Sequence, residues 1–226
     1  MQSLILLHGA LGSAGQLDHI SSLFERQFRI HSFDFPGHGQ NSYDGKFCMD
    51  LFSDSILRYI QSHRLFQPLV FGYSMGGYAA LHLERKHPGT FSGIITLGTK
   101  FRWTPEIAAK ETQLLDPEQT LNKVPAFAEE LEKRHSENDW KKLMHNTAAL
   151  LRDMGNHPPL TETDFSAIQT ETLILLGDRD RMVDVEETVH TYRLMPNARM
   201  GILPDTPHPI EKVNLPVLKA MVGHCI

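Results

Sequence analysis

Six short apolar runs recur along the chain, and they limit the folds it can adopt more than any other feature. The runs are LILL at residues 4–7, RIHSF at 29–33, PLVF at 68–71, GIITL at 93–97, TLILL at 172–176 and ARMGIL at 198–203. Runs of this length predict buried strands, and helical segments lie between them. Strands alternating with helices predict an α/β fold with a mostly parallel sheet of about six strands and helices on both faces.

The strand pattern stops between residues 99 and 165, where helical signals replace it. Thr104-Pro105 and Asp116-Pro117 each place a capping residue before a proline at the first helical position. We therefore expect a core segment at residues 1–98, a helical insertion at 99–165 and a second core segment at 166–226. In the last of these, Asp184 followed by Glu187 predicts a capping box at a helix start.

Composition argues against several classes of function. The 226 residues carry a net charge of -5 and contain no basic run, so nucleic-acid binding is not indicated. The two cysteines, Cys48 and Cys225, fit no disulfide framework and no metal-ligand spacing, which indicates a reducing, cytoplasmic location. No apolar stretch is long enough to predict a membrane span or a signal peptide. We expect no cofactor and no metal, and the sequence leaves the oligomeric state open.

The stretch GYSMGG at residues 72–77 follows the third apolar run directly. It contains the pattern G-x-S-x-G, in which a strand turns sharply into a helix and the central Ser74 takes a strained conformation. Glycines are needed at the flanks because neighbouring chain comes close there. Ser74 is thus expected at the carboxyl end of a central strand, where open α/β sheets bind ligands. A serine hydroxyl needs an adjacent base to act as a nucleophile.

Position selects a base for Ser74 among the 13 histidines. His208 lies in PDTPHPIE, after the last apolar run, where its loop is expected beside the other strand tips. His8 ends the first strand, and we interpret it as a residue that orients its loop. Three further histidines lie in the helical insertion, match no metal-ligand pattern and are predicted to be exposed to solvent: His135, His145 and His157.

Three aspartates after the fifth apolar run compete to orient the histidine: Asp178, Asp180 and Asp184. Asp184 fits a helix cap, and Asp178 directly follows a glycine and fits a turn. Asp180 lies further into the loop and has the reach toward a neighbouring histidine. The interpretation that combines these positions is a group of Ser74, Asp180 and His208, in that chain order.

Five stretches resemble the α/β-hydrolase superfamily over essentially the whole chain: HGALG (8–12), DFPGHGQNS (34–42), GYSMGG (72–77), GDRD (177–180) and the His208 loop. The resemblance implies that Asp180, three residues past the strand-end Gly177, is the acid of a catalytic triad. It implies that residues 99–165 form a lid over the pocket. It also implies an oxyanion hole made by the backbone amides of Ala10 and Met75.

The same resemblance implies a carboxylesterase-like serine hydrolase that cleaves a small-molecule ester or thioester through an acyl-enzyme. Tyr73, Arg102 and Trp103 are the residues expected to contact the substrate. Two of the motifs are also similar to the menaquinone-pathway synthases that eliminate pyruvate with the same triad. Those enzymes characteristically place an arginine shortly after the G-x-S-x-G turn, where this chain has Tyr78. A non-catalytic ligand-binding protein on the same fold is the third alternative.

Overall fold

The computed structural model describes the backbone of residues 1–225 and side chains up to residue 223. The described residues form six strands: β1 (Ser3–Leu7), β2 (Arg29–Ser32), β3 (Leu69–Tyr73), β4 (Gly93–Leu97), β5 (Thr172–Gly177) and β6 (Ala198–Leu203). They lie in one sheet in the order β2-β1-β3-β4-β5-β6, and every adjacent pair is parallel. The predicted parallel sheet of six strands is confirmed.

Helices cover both faces of this sheet. The core helices are α1 (Asp18–Phe24), α2 (Met49–Ser62), α3 (Met75–Lys86), α9 (Val185–Leu194) and α10 (Leu215–Cys225). Alternate residues of each strand point to opposite faces. Leu4 and Leu6 of β1 therefore pack in the core that contains Phe24 of α1, whereas Ile5 and Leu7 pack in the core that contains Phe52 of α2.

Five helices between β4 and β5 form what we call the helical segment: α4 (Pro105–Thr112), α5 (Pro117–Lys123), α6 (Pro125–Arg134), α7 (Trp140–Asn156) and α8 (Glu162–Ala167). The predicted caps are confirmed, because Thr104 accepts the Ile107 amide and Asp116 accepts the Glu118 amide. Leu150 of α7 is buried in the same core cluster as α2 and α3. The segment thus shares the core that α2 and α3 form with the sheet.

The predicted capping box at the start of α9 is wrong. Asp184 occupies the N-cap position, but its side chain makes no capping hydrogen bond. The Glu187 side chain, 1% exposed, turns inward, accepts the Phe101 amide at 3.1 Å and lies 4.0 Å from the Lys100 ammonium. A cation and a backbone donor inside the protein outweigh a bond to an exposed helix end.

Cys48 is a free, exposed thiol, and the Cys225 side chain lies outside the described residues. No helix in the described part of the chain has both the length and the apolar character needed to cross a bilayer. Within the same residues, no group of three or more histidine, cysteine, aspartate or glutamate side chains could hold a metal ion.

Candidate active site

Ser74 lies at the turn between β3 and α3 in a strained conformation, with φ 51° and ψ -117°. A positive φ is uncommon for a residue with a side chain, and it persists only where neighbours hold the backbone in place. The Ser74 amide donates to the Leu97 carbonyl at 2.9 Å, and the Thr99 hydroxyl donates to the Ser74 carbonyl at 3.0 Å. The end of β4 therefore holds the turn.

The chain packs so closely around the glycines beside Ser74 that no side chain fits at their positions. A Cβ on Gly72 would lie 2.4 Å from the Gly77 nitrogen, and a Cβ on Gly76 would lie 2.6 Å from the Leu7 carbonyl oxygen. Both distances are shorter than real contacts of a Cβ. The flanking glycines are thus required by the crossing of β3, α3 and the end of β1.

His208 and Asp180 form a close pair after β6 and β5. Nδ1 of His208 lies 2.7 Å from Oδ2 of Asp180, and the two side chains are 12% and 2% exposed. The other Asp180 oxygen accepts the Met182 and Val183 amides at 2.8 Å and 3.0 Å, which fixes the carboxylate. With Nδ1 engaged, Nε2 is the imidazole nitrogen left to exchange a proton, and His208 and Ser74 line the same cleft.

Asp178, another of the three candidate aspartates, lies in the turn after β5. Its Oδ1 accepts the Thr206 amide at 3.2 Å, and its own amide donates to the Leu203 carbonyl at 3.0 Å. These bonds join the turn after β5 to the loop after β6. Asp178 thus lies in the turn after β5 as predicted, but its side chain ties that turn to the next loop and does not close the turn itself.

Gly98 lies beneath the His208–Asp180 pair, a position that the sequence reasoning missed. It has φ 61°, and a Cβ there would lie 3.2 Å from Asp180 Oδ2 and 3.3 Å from His208 Nδ1. A glycine directly after a strand run is a signal of close backbone approach, so this one could have been found. Gly98 lets the pair sit directly on the end of β4.

Tyr73, one of the three predicted substrate contacts, bonds to the histidine loop. Its hydroxyl donates to the His208 carbonyl at 2.9 Å, and the two ring centroids are 5.4 Å apart. Burial raises the pKa of the Tyr73 hydroxyl well above its ordinary value, so the group remains a donor. Tyr73 is not among the described residues that line the cleft.

The other two predicted substrate contacts differ in position. Trp103 lines the cleft, and its indole nitrogen is buried without a hydrogen-bond partner among the described residues. The Arg102 side chain is 59% exposed, lies 3.8 Å from Asp184 and lines a neighbouring surface groove. Of the three residues, only Trp103 therefore forms part of the cleft wall.

The wall of the cleft is mostly apolar. Its apolar members include Met49, Met75, Leu150, Leu151, Met154 and Val183. One ion pair interrupts this surface: Lys100 lies 3.4 Å from Glu111, and their side chains are 13% and 11% exposed. Glu187 lies behind Lys100, and burial raises the pKa of its carboxyl group. Because Glu111 and Leu150 belong to α4 and α7, the helical segment forms one side of the cleft.

The loop after β1, residues 8–13, is called the HG loop below. Ala10 of this loop and Met75 of α3 both line the cleft beside Ser74. A turn in the loop is closed by the Gly12 amide, which donates to the Gly9 carbonyl at 3.1 Å. Leu11 occupies the third position of the turn with φ 57°, which for a residue other than glycine costs about 1–3 kcal/mol.

His8 orients the HG loop from inside the protein. Its Nε2 accepts the Phe35 amide at 3.1 Å, so Nδ1 carries the proton and donates to the Gly9 carbonyl at 2.8 Å. Burial lowers the pKa of His8 to about 4, and the ring is neutral at pH 7. The interpretation of His8 as a loop-orienting residue is confirmed.

The prediction that His135 is exposed to solvent is wrong. His145 and His157 are exposed, but His135 at the end of α6 is fully buried, with a relative exposure of 0%. Its ring bonds to two loops of the core, at Leu11 and Gly39. No local pattern signals this burial, because the surrounding EKRHSEN reads as a polar surface.

Comparison with known proteins identifies the family of this chain. The family described as Serine aminopeptidase, S33 matches residues 1–210. A pimeloyl-(acyl-carrier protein) methyl ester esterase of Yersinia enterocolitica is 30% identical over 96 residues, covering 42% of this chain and 36% of that protein. The chain spans only 36% and 40% of the length of the first two curated relatives that it matches.

Solved structures share the fold over nearly the whole chain. An esterase from Exiguobacterium antarcticum superposes with a TM-score of 0.80 at 17% identity, covering 99% of this chain and 91% of the other. MenH from S. aureus superposes with a TM-score of 0.77 at 23% identity, covering 99% and 92%. At these identities the superpositions show the fold, and the family match extends over most of the chain. The chain therefore belongs to the Serine aminopeptidase, S33 family of α/β-hydrolases.

Proposed function

We propose that this protein is a serine hydrolase that cleaves a small-molecule ester or thioester with Ser74, His208 and Asp180. The observation that carries the proposal is the 2.7 Å contact between His208 Nδ1 and Asp180 Oδ2, beside a serine on a strained turn in the same cleft. A buried carboxylate that orients an imidazole next to an accessible serine is the arrangement that activates a hydroxyl nucleophile.

In the proposed reaction, Ser74 Oγ attacks the acyl carbon while His208 Nε2 accepts the hydroxyl proton. The protonated His208 then gives that proton to the departing alcohol or thiol, and an acyl-Ser74 ester remains. Water attacks this ester with His208 again acting as the base, which releases the acid and restores Ser74. Asp180 keeps its charge throughout and stabilises the imidazolium.

Negative charge on the carbonyl oxygen would be met by the backbone amides of Ala10 and Met75. Both residues line the cleft beside Ser74, and Met75 is the first residue of α3. The first amides of a helix have no partner within the helix, and its dipole favours an anion there. Amides fixed before the reaction stabilise the transition state at little further cost.

The cleft walls favour a substrate with an apolar acyl or alcohol part. Methionine and leucine side chains dominate the surface, and methionine adapts to varied shapes.

Residues 99–165 serve as the lid in this proposal, since Glu111 and Leu150 from this segment line the cleft. The name of the Yersinia enterocolitica relative adds support for ester hydrolysis of an acyl compound. A cytoplasmic location, inferred from the cysteines, belongs to the same proposal.

The experiment is a panel of p-nitrophenyl esters and acyl-CoA thioesters, assayed with the wild-type protein and with Ser74→Ala. A serine-directed fluorophosphonate label is applied to both in parallel. We expect turnover and labelling in the wild type only, with activity reduced about a thousandfold or more in Ser74→Ala. Labelling without turnover would favour the alternative that the protein is a lyase similar to the pyruvate-eliminating enzymes. Absence of both in the wild type would contradict the proposal and favour a ligand-binding protein.

A further inference from the structure

The HG loop is held by two side chains of the helical segment. The Leu11 carbonyl accepts a hydrogen bond from Arg134 Nη1 at 3.0 Å and another from His135 Nε2 at 3.0 Å. Arg134 ends α6 and His135 follows it, more than 120 positions from Leu11 along the chain. The helical segment and the loop that contains Ala10 therefore share one carbonyl oxygen as an anchor.

His135 has a fixed orientation and protonation state. Its Nδ1 accepts the Gly39 amide at 2.8 Å, and an amide can only donate, so Nε2 must carry the proton that is donated to Leu11. Burial lowers the pKa of His135 to about 4, which keeps the ring neutral at pH 7. The ring thus joins the loop after β1 to the loop after β2.

Arg134 is fixed in a similar way. Its side chain is 11% exposed, and Nη2 pairs with Glu130 one turn earlier in α6. Nη1 is thereby directed at the Leu11 carbonyl. A guanidinium already held by an ion pair loses little further freedom when it donates a second bond, so it fixes its acceptor firmly.

The anchor matters because Leu11 is in a conformation that it would leave if released. Its φ of 57° belongs to the left-handed region, which residues other than glycine seldom occupy. Ala10, immediately before it in the same turn, supplies the amide assigned to the oxyanion hole. Relaxation of Leu11 would rotate the peptide units of the turn and move the Ala10 amide away from the cleft.

We propose that Arg134 and His135 are positioning residues that hold the oxyanion hole in its working geometry, so that docking of the helical segment and assembly of the hole are a single event. The inference rests on the proposed function, since it assumes that the Ala10 amide stabilises an oxyanion. It assigns the helical segment a second task besides forming a wall of the cleft.

Four variants test this inference, together with a control. Arg134→Met and His135→Leu remove the donors and keep most of the volume. Arg134→Lys and His135→Gln can each still donate to Leu11, and a glutamine oxygen can also accept the Gly39 amide. The control is Arg85→Met, because Arg85 pairs with Asp164 at 2.9 Å and thus ties α3 to the helical segment away from the HG loop.

For each variant, kcat and KM are measured on an ester that the wild type turns over, together with the rate of fluorophosphonate labelling and the thermal unfolding curve. The hole contacts the oxygen most strongly in the transition state, so we expect kcat to fall about 10-fold to 100-fold in Arg134→Met and His135→Leu while KM stays within about twofold. Labelling is expected to slow in parallel. His135→Gln should recover most of the lost kcat, and Arg85→Met should match the wild type.

Other outcomes overturn the inference. Folded Arg134→Met and His135→Leu proteins with kcat near the wild-type value would do so, as would a change confined to KM. If His135→Leu does not fold, Arg134→Met decides the question by itself, because its side chain is partly solvated and its replacement leaves the histidine in place. A wild type without labelling or turnover contradicts the proposed function itself, whereas an active wild type with unaffected variants contradicts only the positioning role.

Discussion

The hydroxyl of Tyr73 donates a 2.9 Å hydrogen bond to the backbone carbonyl of His208, the residue 135 positions later that pairs with Asp180. The residue before the proposed nucleophile therefore holds the loop of the proposed base. The Tyr73 ring also packs against the HG loop, since a Cβ on Gly9 would lie 2.9 Å from its Cε1 atom. One side chain thus contacts the loops that carry the proposed base and the proposed oxyanion donor.

Tyr73→Phe removes this hydrogen bond and keeps the ring. We expect kcat to fall several-fold, to about one tenth of the wild-type value, with a loss of about 1 kcal/mol in the free energy of unfolding. KM should change little, because the hydroxyl does not line the cleft. Steady-state kinetics and urea unfolding measure both effects. Tyr192→Phe, at an exposed position, is the control, and equal kinetics in the two variants would contradict the role of Tyr73.

Gly98→Ala tests the close packing beneath the His208–Asp180 pair. The new Cβ would lie 3.2 Å from the Asp180 carboxylate, and the backbone at φ 61° disfavours alanine by about 1–2 kcal/mol. We expect both the stability and kcat to fall, the latter by about tenfold or more, since a small misplacement of the pair is costly.

The matched control for Gly98→Ala is Gly89→Ala. Gly89 has φ 82°, and nothing lies within 4 Å of the Cβ that alanine would add. This variant should lose a similar amount of stability and keep its kcat. Thermal unfolding and kinetics of the two proteins separate strain from displacement of the pair, and equal loss of kcat in both would show that only strain is involved.

Asp180→Asn tests the choice among the three aspartates. The amide keeps the shape of the side chain but loses the charge that stabilises the imidazolium. Its NH2 group can donate a hydrogen bond to the His208 ring, which favours the wrong tautomer of the imidazole. We expect kcat to fall about 10³-fold to 10⁴-fold. Asp178→Asn should keep nearly full activity, because its side-chain oxygen can still accept the Thr206 amide. Strong loss in Asp178→Asn with retained activity in Asp180→Asn would reverse the assignment.

The buried histidines predict how stability depends on pH. Burial lowers the pKa of His8 and of His135 from 6.5 to about 4, and it lowers that of His38 as well. Between these values the unfolded chain binds protons that the folded chain does not. The free energy of unfolding should therefore fall as the pH drops from about 6.5 toward 4, by at most about 1.4 kcal/mol per pH unit for each such histidine.

Urea unfolding at several pH values in this window measures the slope. His135→Gln removes one of the titrating groups, so its slope should be shallower than that of the wild type by the share of one histidine. His31 and His82, whose pKa values are also lowered, act in the same direction and remain in both proteins. Stability that stays constant or rises as the pH falls would contradict the prediction.

Local patterns in the sequence determined the scaffold of this protein. Each strand starts and ends within two residues of an apolar run, and the Thr104 and Asp116 caps form as expected. The glycines around Ser74 predicted the sharp turn of β3 into α3. These features depend on neighbours a few residues apart, so the chain itself contains the information.

Tertiary structure alone decided which distant loops several polar side chains contact. His135 reaches Leu11 across 124 positions, Glu187 reaches Phe101 across 86 and Tyr73 reaches the His208 carbonyl across 135. A polar residue on or beside a helix gives the same local signal whether it faces water or a loop of the core. Which loop it meets depends on the order of strands in the sheet and on how the helical segment packs against it. The sequence therefore determined the elements and the turn that presents Ser74, and the packing of distant loops decided how its surroundings are held.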